Sequence, residues 1–335
     1  MKTLITFDYE LFSGNNPGTV EKSLLQPTEN LIKLGKSYST KFVFFVDVLF
    51  LVKLYEYIEF SEKAKNDYYA VTNQLRLLAE DGHDLQLHIH PQWWYSTYDV
   101  NKDKWIIDLH HFKVADCTRK EVELMFHEGV SLINVLRGGG NSCSLYRAGG
   151  YSFQNEKWFY DMLKSYQLTL DSSVLVMSRD DSPFQNYDYT AVTSSTSYNF
   201  SEDIHEVVPN GLFHEYPISG IKMCPIRYFT LSIWIKRRKD LRIIGDGVGI
   251  KEAAGGKLSK QINRLKRFFK PVIVHASIDG SSGYWLSQIY YKVKNNGSDV
   301  FVIIGHPKTQ NQYGLNCLES YLKEHSKEVV TTKDL

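Results

Sequence analysis

Seven short apolar runs, at residues 3–7, 41–47, 84–90, 144–147, 168–172, 272–277 and 300–306, recur along the 335-residue chain with helical patterns between most of them. Runs this short, bounded by polar and glycine-rich stretches, fit buried strands better than helices. Strands that alternate with helices pair in parallel, because only a crossover returns the chain in the same direction. The expectation is therefore an α/β chain, a decorated barrel forming one domain over 1–335.

The intervening segments carry helix punctuation. Leu24, Leu31 and Leu34 recur at loosely helical spacing within 19–38. The pattern at 70–80 stops before Gly82, a suitable C-cap. Thr118-Arg119-Lys120-Glu121 is a capping-box sequence that opens a helix toward Leu136. Further helices are expected at 154–166, at 257–269 with Leu258, Ile262, Leu265 and Phe269 on one face, and at 284–294 before Asn296-Gly297. The polar stretch 179–205 reads as a long loop. Residues 206–243 read as an appended aromatic hairpin, giving an insertion at about 179–243.

In parallel β/α folds the chemistry collects at the C-terminal ends of the strands. The first run ends in Asp8-Tyr9-Glu10, two acids on the same side of an extended chain. The third ends in His88-Ile89-His90-Pro91, two imidazoles on one side with a proline that stops the strand. Two imidazoles with one or two carboxylates suit zinc or a similar divalent ion, and an open position leaves room for a water. The fourth run ends in Arg147-Ala148-Gly149-Gly150-Tyr151, the last in Gly305-His306-Pro307. Alone, each piece has an ordinary reading: a turn for Asp8 and Glu10, a weak metal signal for His88 and His90, a salt bridge for Arg147, a strand end for His306. Their coincidence at four strand ends favours a common site.

Bulk properties exclude other classes. A net charge of +1 provides no field to attract nucleic acid. Cys117, Cys143, Cys224 and Cys317 are scattered, so neither a zinc knuckle nor a dense disulfide framework is expected, and reduced thiols suit a cytoplasmic location. Residues 1–7 lack a signal-peptide pattern, and no run approaches the roughly 20 apolar residues of a membrane helix.

The order of these motifs resembles the polysaccharide deacetylases, the carbohydrate esterases related to nodulation protein B, over about residues 1–310. The counterparts are Thr6-Phe7-Asp8-Tyr9-Glu10, Gly82-His83-Asp84 running into His88-Ile89-His90, Arg147 through Tyr151, and Ile304-Gly305-His306. Asp-x-Glu stands where the family has adjacent aspartates, His-x-His where it has His-x-x-x-His, and Arg-Ala-Gly-Gly-Tyr where it has Arg-x-Pro-Tyr. The resemblance implies an irregular (β/α)7 TIM-like barrel and metal-dependent removal of an acyl group, N-acetyl first, from an amino sugar or saccharide precursor. It implies Asp8 as the base, Arg147 as the group that orients it, and His306 as the acid. Glu10, His88 and His90 would hold the metal, zinc first, with Asp8 as an alternative ligand. The Tyr151 N–H would face the oxyanion.

Other features stand second. Trp93, Trp94 and Tyr95 follow the histidine pair and either wall a sugar site or pack against the barrel rim. His275 and Asp171 end apolar runs and are further candidates. Gly245-Asp246-Gly247 with Gly255-Gly256-Lys257 lacks the Ser or Thr of a phosphate loop. The basic clusters at 236–242 and 260–270 read as solvated faces, with a nucleotide- or lipid-linked diphosphate substrate as the alternative. Hydrolysis of another C–N bond (a ureide or cyclic amide) and an inactive sugar-binding protein on the same fold are the competing functions. A glycosidase would need two carboxylates flanking the scissile bond, and Asp8 and Glu10 are too close to the histidines for that.

Overall fold

The computed structural model describes residues 1–139, 142–235, 237–250 and 271–335. The helix expected at 257–269, the Gly255-Gly256-Lys257 turn, Lys236 and the basic cluster from Lys260 to Lys270 lie outside the described residues. Seven parallel strands form the frame: β1 (Lys2–Tyr9), β2 (Val43–Asp47), β3 (Asp84–Ile89), β4 (Leu145–Ala148), β5 (Leu170–Asp171), β6 (Phe213–Glu215) and β7 (Val300–Gly305). Their spatial order is β6-β5-β4-β3-β2-β1-β7. The strands β2, β3, β4 and β7 are buried at every residue, as expected when helices cover the outer face and side chains fill the inner one.

The sheet curls back on itself. Beyond β6 the chain reaches Ser219, whose N–H donates to the Val302 carbonyl at 3.1 Å, while the Val302 N–H donates to Ser219 Oγ at 3.0 Å. This irregular seam joins the two edges of the row, so the α/β barrel expected from the sequence is the observed architecture.

Local chemistry explains the helices. Ser61 Oγ accepts the Ala64 N–H at the start of Glu62–Glu80, and Gly82 ends that helix at φ +89°. The capping box at Thr118 is formed as read, and its helix runs Arg119–Leu136. Three of the described helices of eight residues or more gave no helical pattern in the sequence: Val48–Tyr55, fused to β2 without a linker, Pro225–Ile235, inside the region read as an appended hairpin, and Gln312–His325. No described helix is long and apolar enough to cross a membrane.

Two strand expectations are corrected as well. Phe213–Glu215 lies inside the region read as an appended hairpin, yet it pairs in parallel with β5 and is a strand of the barrel. Its three residues include His214 and Glu215, too short and polar to show a buried-strand pattern. The run at 272–277 supplies Val272–His275, which pairs antiparallel with Gly220–Met223 outside the row of seven. The chain then bends so that only 276–278 bond to β7 at Ile304.

The β5–β6 register sets Glu215 beside Asp171, both buried. Asp171 Oδ1 accepts the Ser173 N–H and Glu215 Oε1 accepts the Val174 N–H, leaving one buried oxygen on each without an N–H or hydroxyl donor among the described residues. Burial raises both carboxyls above the ordinary range, and the Asp171 charge raises Glu215 further. The pair therefore keeps a proton that the unfolded chain releases near pH 4. Stability is then expected to fall as pH rises from about 4 through the raised folded values, because the folded state binds more protons. Urea midpoints measured over that range should vary less with pH in Glu215→Gln than in the parent; an unchanged slope would refute the shared proton.

Candidate active site

Arg147 is fully buried and projects from β4 across the barrel interior. Its Nη1 donates to Asp8 Oδ1 at 2.5 Å. Both terminal nitrogens donate to Thr6 Oγ1 at 3.1 Å, Nε donates to the Ser172 carbonyl at 2.8 Å, and Nη2 donates to Ser172 Oγ at 2.9 Å. The guanidinium also lies 3.9 Å from the Phe45 ring centroid. Thr6 and Asp8 meet it together because alternate residues of β1 face the same side.

The two histidines come from β3 and the residue after it. Arg147 and His88 are register partners, and His88 Nδ1 lies 2.8 Å from the Arg147 carbonyl. A carbonyl only accepts, so Nδ1 carries the proton and Nε2 is left with its lone pair toward the site. Gly149 allows the His90 ring to lie against the turn after β4. A Cβ there would collide with the Ile89 carbonyl and stand 3.0 Å from His90 Nδ1.

Glu10 Oε2 is drawn against His90 Nε2 and lies 3.4 Å from His88 Nε2. Apart from facing one another, these three buried atoms have no hydrogen-bond partner among the described residues. They converge within 4.8 Å, as does a second group of Asp8, Glu10 and His306. One carboxylate and two imidazoles with preset lone pairs fit a divalent ion with open coordination positions. Burial opposes the Glu10 charge, but Lys308 and His90 overcome it and hold the carboxyl well below the usual range. Lys308 Nζ donates to Glu10 Oε1 at 2.8 Å and to the Leu11 carbonyl at 3.0 Å, leaving Oε2 facing the histidines.

His306 stands across from Arg147. Its Nε2 is 3.5 Å from Asp8 Oδ2 and 3.6 Å from Glu10 Oε1. Its Nδ1 is 2.7 Å from Asp279 Oδ2, and Asp279 Oδ1 accepts the His306 N–H at 3.0 Å. Burial opposes the imidazolium, yet Asp279, with Asp8 and Glu10 behind it, pushes the pKa up to about 9.

The remaining candidates divide. Tyr151 sits in the turn after β4 at φ +59°, a sparsely populated conformation for tyrosine, and its carbonyl accepts from Tyr189 Oη at 2.7 Å. Burial, then Asp8, raises its phenol well above the ordinary value, which puts the ring in the field of the site. Trp93 is instead packed in the core, with Phe50 and Trp105 each 5.0 Å away between ring centroids, and offers no open face. Trp94 is half-buried and packs on the same core. His275 bonds Val176 O at 3.0 Å away from this cluster. The Gly-Asp-Gly loop turns Asp246 onto the Thr19 N–H at 2.8 Å, so it packs the chain against itself.

Sequence reading missed three neighbours. Asp47 ends β2 in register with His88, and both its oxygens are buried without a hydrogen-bond partner among the described residues. Burial pushes its carboxyl up to about 6 against the pull of His90 and His88. An acid ending the run Val43-Phe44-Phe45-Val46 was the same signal that flagged Asp8. Asp279 follows the run at 272–277, but His275 drew attention first. Lys308 carries no local signal.

No family model matches the sequence, and no curated protein matches it. Solved structures do. A protein of Mycobacterium smegmatis described as a polysaccharide deacetylase superposes with a TM-score of 0.50 at 13% identity, covering 98% of this chain and 85% of its own. The Bc1960 peptidoglycan N-acetylglucosamine deacetylase aligns at TM-score 0.42 and 12% identity, covering 99% and 86% of the two chains. Puue allantoinase aligns at 0.49 and 10%, covering 99% and 87%. The chain thus has the barrel fold of the polysaccharide deacetylases.

If Glu10, His88 and His90 hold the ion, elemental analysis should find about one divalent metal per chain, absent from the His88→Ala/His90→Ala variant. A liganding imidazole must be neutral, and Glu10 outweighs burial to raise the His90 pKa above 6.5. Protons should therefore compete as pH falls, and apparent affinity in a metal titration should already decline above pH 6.5. Equal affinity at pH 6 and pH 8, by the same titration, would argue against His90 as a ligand.

Proposed function

We propose that this chain is a metal-dependent hydrolase that removes an acyl group, N-acetyl first, from an amino sugar or a related saccharide. One observation carries the reading: Asp8 on Arg147 and His306 on Asp279 flank the convergent donor atoms of Glu10, His88 and His90. The barrel shared with the Mycobacterium smegmatis protein supports the same reading.

A divalent ion at those donors would polarise the acyl oxygen and make a water more acidic. The chain's own groups supply the proton traffic. Asp8 Oδ1 is taken by Arg147, so Oδ2 is the oxygen that accepts the proton of the attacking water. Arg147, clamped by Thr6 and Ser172, keeps that carboxylate from rotating. His306, with its pKa at about 9, is protonated at neutral pH and gives the Nε2 proton to the leaving nitrogen. Asp279 holds Nδ1 and stabilises the imidazolium until that transfer. The Tyr151 N–H would donate to the developing oxyanion, with the left-handed turn setting its direction.

His306→Ala is expected to lower kcat roughly 10²–10⁴-fold while leaving metal content intact. Because the acid must be protonated, activity should fall as pH rises through about 9. Removing the Asp279 charge lowers the His306 pKa, so Asp279→Asn should move that alkaline limb to lower pH. Acetate release from acetylated amino sugars, followed against pH, reads both. Full activity in His306→Ala would end the acid assignment.

A further inference from the structure

A hollow of about 210 Å³ opens beside His90 and Gly150. It is smaller than the roughly 300–1,000 Å³ clefts that take drug-sized ligands. One wall is a hairpin, Arg179–Asp181 paired with Asn186–Asp188. The hairpin is tied to the turn that follows Arg147: the Asn186 N–H donates to Ser152 Oγ at 2.9 Å, and Gln185 packs on Gly150. At its tip, Lys113 Nζ donates to the Pro183 carbonyl at 2.8 Å, and Phe184 meets Phe112 edge-to-face at 5.0 Å. Tyr189, just beyond it, bonds the Tyr151 carbonyl. The wall is therefore built onto the turn that follows Arg147.

Its lining is mixed. Phe112 and Phe184 offer apolar surface, while Asp180, Ser182 and Gln185 offer hydrogen-bonding groups. Asp180 Oδ1 accepts the Ser182 N–H at 2.8 Å, and its other oxygen has no protein donor among the described residues. The free oxygen suits a hydroxyl or an amine and repels an acidic substituent.

We propose that this hollow is the subsite for one neutral, polyhydroxylated ring, a single amino-sugar residue. The hairpin at 179–188 excludes neighbouring sugar units, and Asp180 excludes anionic substituents on that ring. The inference rests on the deacetylase reading and adds the size and charge of the substrate to it. Phe184 and Asp180 are specificity residues, with no part in the proton transfers.

Calorimetry on the metal-loaded His306→Ala protein tests this without turnover, using the methyl glycoside of N-acetylglucosamine, its β-1,4-linked tetramer and N-acetylmuramic acid. The monosaccharide should bind, with the tetramer and the acidic sugar each at least about tenfold weaker. Phe184→Ala should narrow the tetramer gap, and Asp180→Asn should narrow the gap for the acidic sugar. A tetramer that binds as tightly as the monosaccharide, or no binding of any of the three, overturns the proposal. Acetate release by the parent protein on the same neutral sugars reads the hydrolase assignment separately. Binding of the monosaccharide without release would leave the subsite standing and remove the reaction.

Discussion

The buried guanidinium of Arg147 is the constraint on which the rest of the site depends. A cation taken fully out of water costs several kcal/mol unless its donors are satisfied. Here they are shared among Asp8, Thr6 and Ser172, with the Phe45 ring against its face. Those partners come from β1, β2 and the end of β5, so the charge draws three strands toward one point. The same residue also acts through its backbone, since its carbonyl fixes the His88 tautomer. One position in β4 thereby orients both the carboxylate proposed as base and an imidazole proposed as ligand.

Around that centre the charges alternate. Arg147 faces Asp8, Asp8 faces His306, His306 faces Asp279, and Lys308 faces Glu10. Each charged group is held by one of opposite sign, which keeps it in place before any ligand arrives. Preorganisation of this kind stabilises developing charge at little reorganisation cost during a reaction. The exceptions are carboxyls beside the site or behind it. Burial outweighs the pull of His90 and His88 on Asp47 and that of Arg147 on Asp171 and Glu215, and it raises all three.

The barrel was legible because its strands are buried on both faces and so appear as continuous apolar runs. The convergence of six residues of the candidate site, Asp8, Glu10, His88, His90, Arg147 and His306, was legible because each ends or closely follows such a run, and parallel topology brings those ends together. Trp93 was ambiguous: an aromatic after a histidine pair looks the same in sequence whether it lines a cleft or fills the core. The β6 strand was hidden because its residues pair with β5 only after some 40 residues of intervening chain. Short strands of this kind are specified by long-range hydrogen bonds and carry little local pattern.

By itself, the sequence determined the strand–helix alternation, the strand ends where acids, imidazoles and the guanidinium stand, and the caps that start and stop several helices. These follow from residue type and spacing over a few neighbours. Only the tertiary structure decided which partner each charge received. Arg147 and Asp8 are 139 residues apart, Lys308 and Glu10 are 298 apart, and His306 and Asp279 are 27 apart. It also decided that the hairpin at 179–188 walls a hollow of about 210 Å³ beside His90. Electrostatic pairing and cavity volume depend on distances through space, and those exist only once the sheet has curled.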